Sequence, residues 1–347
     1  MGTYFVIALR NLALARRRSL LLAAALALVA MFLVLLMSLS QGLRDTMVHT
    51  ATLLSSGHIN IAGFYKAKPD DAFPIISGRE RLRGIGAAAP GVVRVIDRGR
   101  GWAKLVSESG SLQTGLVGID VAEEKDLFDN LQLAPQSDYK KGGEARVLGD
   151  VQRLREPNTA LIFVGQAKRL GVDVGDSITV SVESFGGLAN TGELTVVAVA
   201  RDMGFMTHWN VFTPKAAIND LYRLNSDVTG AVMVYLEDIE TAPQVMEHLR
   251  QTLSAQGYLL MEPEAQPFWA KFETVSAEDW TGQKIDLTTW QDETSYMKWM
   301  LSALDTIAFL LTAVLLGIIV VGIMNAMWIA VRERTQEIGT LRAIGMR

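Results

Sequence analysis

The residues with chemical potential are scattered. Gly187-Leu-Ala-Asn-Thr-Gly192 has the glycine spacing that opens a phosphate-binding loop, but Glu193 and Leu194 stand where the motif needs Lys and Ser or Thr. A carboxylate there would repel phosphate, so the stretch reads as a loop between strands. No other candidate exists, so ATP is not expected to be hydrolysed by this chain alone. His49, His58, His208 and His248 are isolated from one another and lack the spacing of metal ligands. The acidic pairs Asp70-Asp71 and Glu123-Glu124 fall in polar stretches and read as solvated. There is no cysteine, which excludes disulfides, thiolate metal sites and a thiol nucleophile. No Gly-x-Ser-x-Gly or His-Glu-x-x-His is present. The expectation is a protein that is not an enzyme, with no catalytic, cofactor-binding or metal-binding residues.

Two apolar stretches stand out instead. One is Met203-Gly-Phe-Met-Thr-His-Trp209, unusually apolar for a link between a strand and a helix. The other is 262–290, which carries Pro263, Pro267, Phe268, Trp269, Phe272, Trp280 and Trp290 and reads as an elaborated connection. Both could pack on their own domain. Alternatively Met203, Phe205, Met206, Trp209, Phe268 and Trp269 form a contact site for a lipidic cargo or a partner, since exposed apolar patches mark interfaces.

The elements that must position these residues begin with two membrane spans. Hydrophobic residues make up 49% of the chain, and the excess is concentrated near its two ends. Ser19 to Leu43 carry no charge, and neither do Thr306 to Val331; about 20 apolar residues cross a bilayer as a helix. Arg10, Arg16, Arg17 and Arg18 precede the first run, and Arg332, Arg334, Arg342 and Arg347 follow the second. Both outer ends are therefore cytoplasmic under the positive-inside rule. A cleaved signal peptide is the rival reading of the first run, but the run exceeds the usual apolar length of one. Residues 1–18 read as a short amphipathic helix on the inner surface. The net charge of −4 argues against a nucleic-acid partner.

Residues 41–300 then form an outer domain of α+β class. Gln41 to Leu54 continues the first span, and Gly57 to Ile61 is a short strand. Ser77 to Ala88 is a helix stopped by Pro90-Gly91. Val92 to Val106 and Ser111 to Ile119 alternate as a hairpin. Residues 121–158 read as loop with a short helix, and Ala160 to Leu170 as a helix ended by Gly171. Strands are expected around Ile178 to Val182, Thr195 to Ala200 and Val232 to Leu236, with helices from Pro214 to Leu221 and Ala242 to Ala255.

After the second span (301–331) comes Val331 to Arg347, where Ile338, Leu341 and Ile344 recur at helical spacing among charged residues. With that topology the chain resembles the MacB, LolC/LolE and FtsX group of ABC transporter permeases. The residues that carry the resemblance are Ile7-Ala-Leu-Arg-Asn-Leu12, Ser38-Leu-Ser-Gln-Gly42, Gly57-His-Ile-Asn-Ile61, Pro90-Gly-Val92, Val117-Gly-Ile-Asp120 and Leu170-Gly-Val-Asp-Val-Gly-Asp176. The strongest is Glu333-Arg-Thr-Gln-Glu-Ile-Gly-Thr-Leu-Arg-Ala-Ile-Gly345.

The resemblance implies a multi-pass protein of the bacterial inner membrane with residues 41–300 in the periplasm. Residues 332–347 would be a cytoplasmic coupling helix. Glu333, Arg334, Glu337, Ile338, Leu341 and Arg342 would lie at the docking site of a separate ABC ATPase that holds the ATP and Mg. It also implies a second permease copy or paralogue, and a lipoprotein or other periplasmic partner. Two further spans come after this helix in the family pattern and are not in the sequence, which ends at Arg347. Lipoprotein release is the expected task, with drug or peptide export, or regulation of a periplasmic hydrolase, as alternatives. A two-span sensory receptor is more remote, because no proline or long heptad pattern follows Arg332.

Overall fold

The computed structural model describes residues 16–69, 71–184 and 187–345. The inner-surface helix expected at the N-terminus falls mostly on residues 1–15, outside them, as does Asp70. The chain divides into two compact units. One is the helical segments through Asp45 and from Met297 onwards; the other is Thr46–Tyr296.

Helix α1 spans Arg16–Ala51. It is rich in Leu, Ala and Met, which are strong helix formers, and contains no proline. Met31, Phe32 and Leu35 are each more than half exposed. The stretch Ala27–Ser56 is long and apolar enough to cross a membrane. Such a row of bare apolar side chains suits lipid rather than water. At Ala51 the helix gives way to a π-helical turn, Thr52–Ser56, and Gly57 turns the chain out of it at a φ of 63° that favours glycine.

Next come β1 (Ile59–Lys66), β2 (Ala72–Phe73), β3 (Ile76–Ser77), α2 (Arg79–Ala87), β4 (Val92–Val106), β5 (Ser111–Ile119) and α3 (Lys125–Asn130). Then come β6 (Thr159–Phe163), α4 (Val164–Leu170), β7 (Ser177–Glu183), β8 (Ala189–Ala200), β9 (Asn210–Pro214) and α5 (Lys215–Tyr222). The chain continues through β10 (Val228–Thr229), β11 (Ala231–Leu236), α6 (Ala242–Ala255), α7 (Phe272–Ala277), β12 (Gly282–Thr289), α8 (Trp290–Glu293) and α9 (Lys298–Ala343).

Strand β4 belongs to two sheets. Its first half pairs with β11 in an antiparallel sheet ordered β12-β1-β11-β4. Its second half pairs with β5, and the sheet runs on through β9, β6, β8 and β7. Strand β7 then returns to β4 at Lys104–Val106, closing a six-stranded barrel that leaves no edge to aggregate. The barrel interior is apolar, with Leu105, Leu116, Ile162, Val180, Val196 and Val211 all buried. Helices α2 and α6 cover one face of the open sheet through Leu82, Ile85, Val245 and Leu249 packed on Ile59, Ile61, Val232 and Val234. Alternation along β1 sends Ala62 and Phe64 to the other face, where they meet Met261, Phe268 and Val275.

Four local expectations change. Thr159–Phe163 is a fully buried strand, and only Val164–Leu170 is helix. An apolar run without a polar face carries no periodicity to separate the two. The loop expected at Gly187–Gly192 is shorter, since β8 already begins at Ala189. The connection 262–290 includes β12, paired along the whole of β1 from Ile59↔Thr289 to Lys66↔Gly282. In the other unit, residues 332–343 of the stretch expected as a separate helix are the last turns of α9, which runs unbroken from Lys298 to Ala343. Ser302–Asn325 within it is long and apolar enough to cross a membrane.

The fold is pinned at Arg98 on β4, whose side chain is fully buried. Its Nε and Nη2 donate to Glu124 at 2.6 and 2.7 Å, and its Nη1 and Nη2 donate to the carbonyls of Leu54 and Leu53 at 2.9 and 2.8 Å. Burial disfavours the charged guanidinium, but Glu124 outweighs it and holds the Arg98 pKa above its ordinary value. Glu124→Gln leaves that cation buried and uncompensated, so it is expected to destabilise the protein by about 3–5 kcal/mol in denaturant unfolding.

Asp97 points to the opposite side and pairs with Arg83 of α2 and, at 3.0 Å, Lys215 of α5. Burial opposes its ionisation, yet Lys215 and Arg83 hold its carboxyl below the ordinary 3.8. Its contribution to stability is therefore present above that value and lost as pH falls through the lower folded-state value. Asp97→Asn is expected to lower the melting temperature at neutral pH, and its gap from the parent to narrow when melts are repeated below pH 3.8.

Candidate functional site: an aromatic cavity between two lobes

A cavity of about 480 Å³ lies between the open sheet and the barrel of the Thr46–Tyr296 unit. Its walls come from the π-helical turn, β1, the middle of β4, β5, the start of β9 and the aromatic segment before β12. The volume falls within the range typical of small-molecule sites.

Four rings at the cavity are substantially exposed: Trp102 (54%), Trp269 (53%), Trp209 (47%) and Phe272 (41%). Trp102 and Trp209 meet edge to face at 6.4 Å, and Trp269 meets Tyr296 in the same way at 6.0 Å. Deeper in, Phe64 stacks on Phe268 at 4.7 Å and takes Phe272 edge-on at 6.0 Å.

Buried cations position the aromatic segment. Lys271 ends the turn Phe268–Lys271 and forms a buried ion pair with Asp286 of β12 at 2.8 Å. Lys66, at the end of β1, donates to the carbonyls of Val275 and Glu278 at 2.8 and 2.6 Å. The backbone N–H of Phe268 donates to Glu293 at 3.1 Å, so α8 fixes the same turn. On β4, Gly101 allows close packing of Tyr222, whose ring would lie 2.3 Å from an added Cβ and whose hydroxyl donates to the Trp102 carbonyl.

Besides Tyr296, two titratable groups reach the cavity. Arg100 donates through Nη2 to the Ser55 carbonyl at 2.6 Å and to Asn60 at 3.1 Å, and lies over the Phe268 ring at 5.2 Å. Burial lowers its pKa to about 10, with Glu293 opposing the shift and Arg98 adding to it. Glu293 accepts from Thr288 at 2.8 Å, and burial raises its carboxyl above the ordinary range although Arg100 pulls the other way. Among the described residues no cluster of His, Cys, Asp or Glu suits a metal ion.

The structure thus brings Trp209, Phe268 and Trp269 together in one wall. Met203 lies elsewhere, packed against the buried cluster of Leu53, Leu54 and Phe212. The side chains of Phe205 and Met206 lie outside the described residues, as do those of Glu333, Arg334, Glu337, Ile338, Leu341 and Arg342 on α9. Sequence reasoning missed Trp102, Arg100, Glu293 and Phe64. Trp102 was visible as the odd aromatic in an alternating strand; the other three needed the sheet register.

Residues 19–252 match the family of the MacB-like periplasmic core domain, and residues 309–347 match the FtsX-like permease C-terminal family. No curated protein sequence matches the chain. Among solved structures, it is similar to the extracellular domain of the noncanonic ABC-type transporter YknZ from Gram-positive bacteria, at 13% identity over 65% of this chain and 98% of that one, with a TM-score of 0.36. It is also similar to the periplasmic region of MacB from Actinobacillus actinomycetemcomitans, at 11% identity over 70% of this chain and 94% of that one, with a TM-score of 0.39.

The two depths of ring should separate by mutation. Phe268→Ala is expected to cost about 3–5 kcal/mol in denaturant unfolding, as for buried aromatics. Trp209→Ala should change stability by only about 0.5 kcal/mol, as for surface positions.

Proposed function

Because the chain belongs to the MacB/FtsX/LolC family of ABC transporter permeases, we propose that it transmits the motion of a separate ATPase to its outer domain. The observation that carries this reading is the pairing of the two family matches, a periplasmic core domain at 19–252 and a permease segment at 309–347, with two membrane-length helices around the domain. Permeases of this family sit in the inner membrane, carry a periplasmic domain and work with a cytoplasmic ABC ATPase. The absent phosphate-loop lysine at Glu193 fits that division of labour.

In this reading the ATPase docks on the last turns of α9. Positions 333, 337 and 341 and positions 334, 338 and 342 fall in adjoining rows there, since residues four apart lie one above the other on a helix. A paired second permease would complete the membrane unit. Displacement of α1 would be delivered to β4, because Arg98 and Arg100 hold the carbonyls of Leu53, Leu54 and Ser55. The proposed task is ATP-driven handling of an amphiphilic cargo on the outer side, with lipoprotein release first. The Gly57-His58-Ile59 start and the other outer-domain pieces resemble that branch, and an aromatic cavity suits a partly apolar cargo.

Affinity purification of the protein from its own membranes should recover an ABC ATPase, and the reconstituted complex should hydrolyse ATP. Leu341→Glu should cut that recovery at least tenfold without lowering the amount of permease. If no ATPase is recovered from parent membranes, the reading fails. Proteoliposomes carrying a lipoprotein should release it only with ATP; ATP-driven movement of drugs or peptides without lipoprotein release would replace the lipoprotein assignment.

A further inference from the structure

Arg100 sits at an aromatic cavity with part of its guanidinium unused. Its described bonds all leave from Nη2, to Ser55 and Asn60. Nη1 and Nε have no acceptor among the described residues, yet neither is sealed away, since the one buried side-chain polar atom left without a partner there is Nε1 of Trp290. The side chain lines the cavity and remains partly exposed to it. A guanidinium with open donors beside apolar walls is a strong anion site. Glu293 weakens that field least when neutral, and burial favours its neutral form.

The rest of the wall selects for an apolar body. Trp102, Trp209, Trp269 and Phe272 present exposed rings, whereas Phe64 and Phe268 are tied up in the core. We infer that the cavity binds an anionic amphiphile, with its acidic head on Arg100 and its apolar chain or ring among those four side chains. The shared chemistry is one anionic oxygen group on an apolar tail, as in a fatty carboxylate or an alkyl phosphate. This ligand assignment rests on the cargo reading only for the fate of the amphiphile once bound.

Calorimetric titration of the full chain in nanodiscs of zwitterionic lipid tests it, with no ATPase or ATP present and empty nanodiscs subtracted. The probes are decanoate, decyl phosphate and decyltrimethylammonium. Both anions should bind at least tenfold more tightly than the cation, and the tighter of the two identifies the source as fatty acid or phospholipid. Arg100→Gln should weaken the anions at least tenfold and leave the cation unchanged. Trp209→Ala should weaken all three. Equal or tighter binding of the cation, no effect of a folded Arg100→Gln variant, or no heat beyond empty nanodiscs overturns the assignment. If Arg100→Gln melts below the assay temperature, the anion preference of the parent and the weakening in Trp209→Ala decide alone. A negative result here leaves ATPase coupling untouched, because co-purification measures that separately.

Discussion

The domain depends on how one helix end is satisfied. Carbonyls in the last turn of a helix have no partner within it and carry partial negative charge. Here the α-helix loosens into Thr52–Ser56, and each of four consecutive carbonyls accepts a side-chain donor. Tyr235 donates to Thr52 at 3.2 Å, Arg98 to Leu53 and Leu54, and Arg100 to Ser55. Arg98 and Arg100 are two residues apart on β4 and therefore face the same way. Strand β4 is shared by the open sheet and the barrel, so the helix end is bolted to the one strand that both lobes have in common.

Charge pairing on the other side of β4 completes the joint. Asp97 bridges α2 of the open-sheet lobe and α5 of the barrel lobe through Arg83 and Lys215, and also accepts from Thr229 at 3.1 Å. A buried ion pair gains little over well-packed apolar residues, but breaking one is costly. Such contacts therefore favour a single arrangement of the lobes more than they add net stability. The proposed transmission of motion would need that property, because a slack joint would absorb displacement.

The sequence shows the spans, the β4–β5 hairpin and α6 because each has a strong periodic or hydrophobic signal. Its charge pattern conceals more. Arg98 and Glu124 look solvated in the linear chain, and their burial follows only from α3 packing beside the helix end. Asp286 likewise makes β12 read as a polar connection, although it is buried on a paired strand with Lys271 of the preceding turn as its ion-pair partner. Strand β6 is hidden for the opposite reason, since every one of its residues is buried and nothing alternates. The aromatic stretches were legible as unusual, but not as one wall, because Trp209 and Phe268 come to line one cavity only through the register of β5 with β9 and of β1 with β12.

The cavity and the helix clasp share a residue. Arg100 takes the Ser55 carbonyl with Nη2 and also lines the aromatic space. Leu54 and Ser55 themselves line that space. Any displacement of the helix end relative to β4 must therefore stretch a 2.6 Å charge-assisted hydrogen bond and shift the guanidinium within the cavity. By reciprocity, a ligand that draws on the same guanidinium biases the position of the helix end by its difference in affinity between the two arrangements. Under the proposed function, binding and transmission would thus be coupled through Arg100, with no need for a longer pathway across the domain.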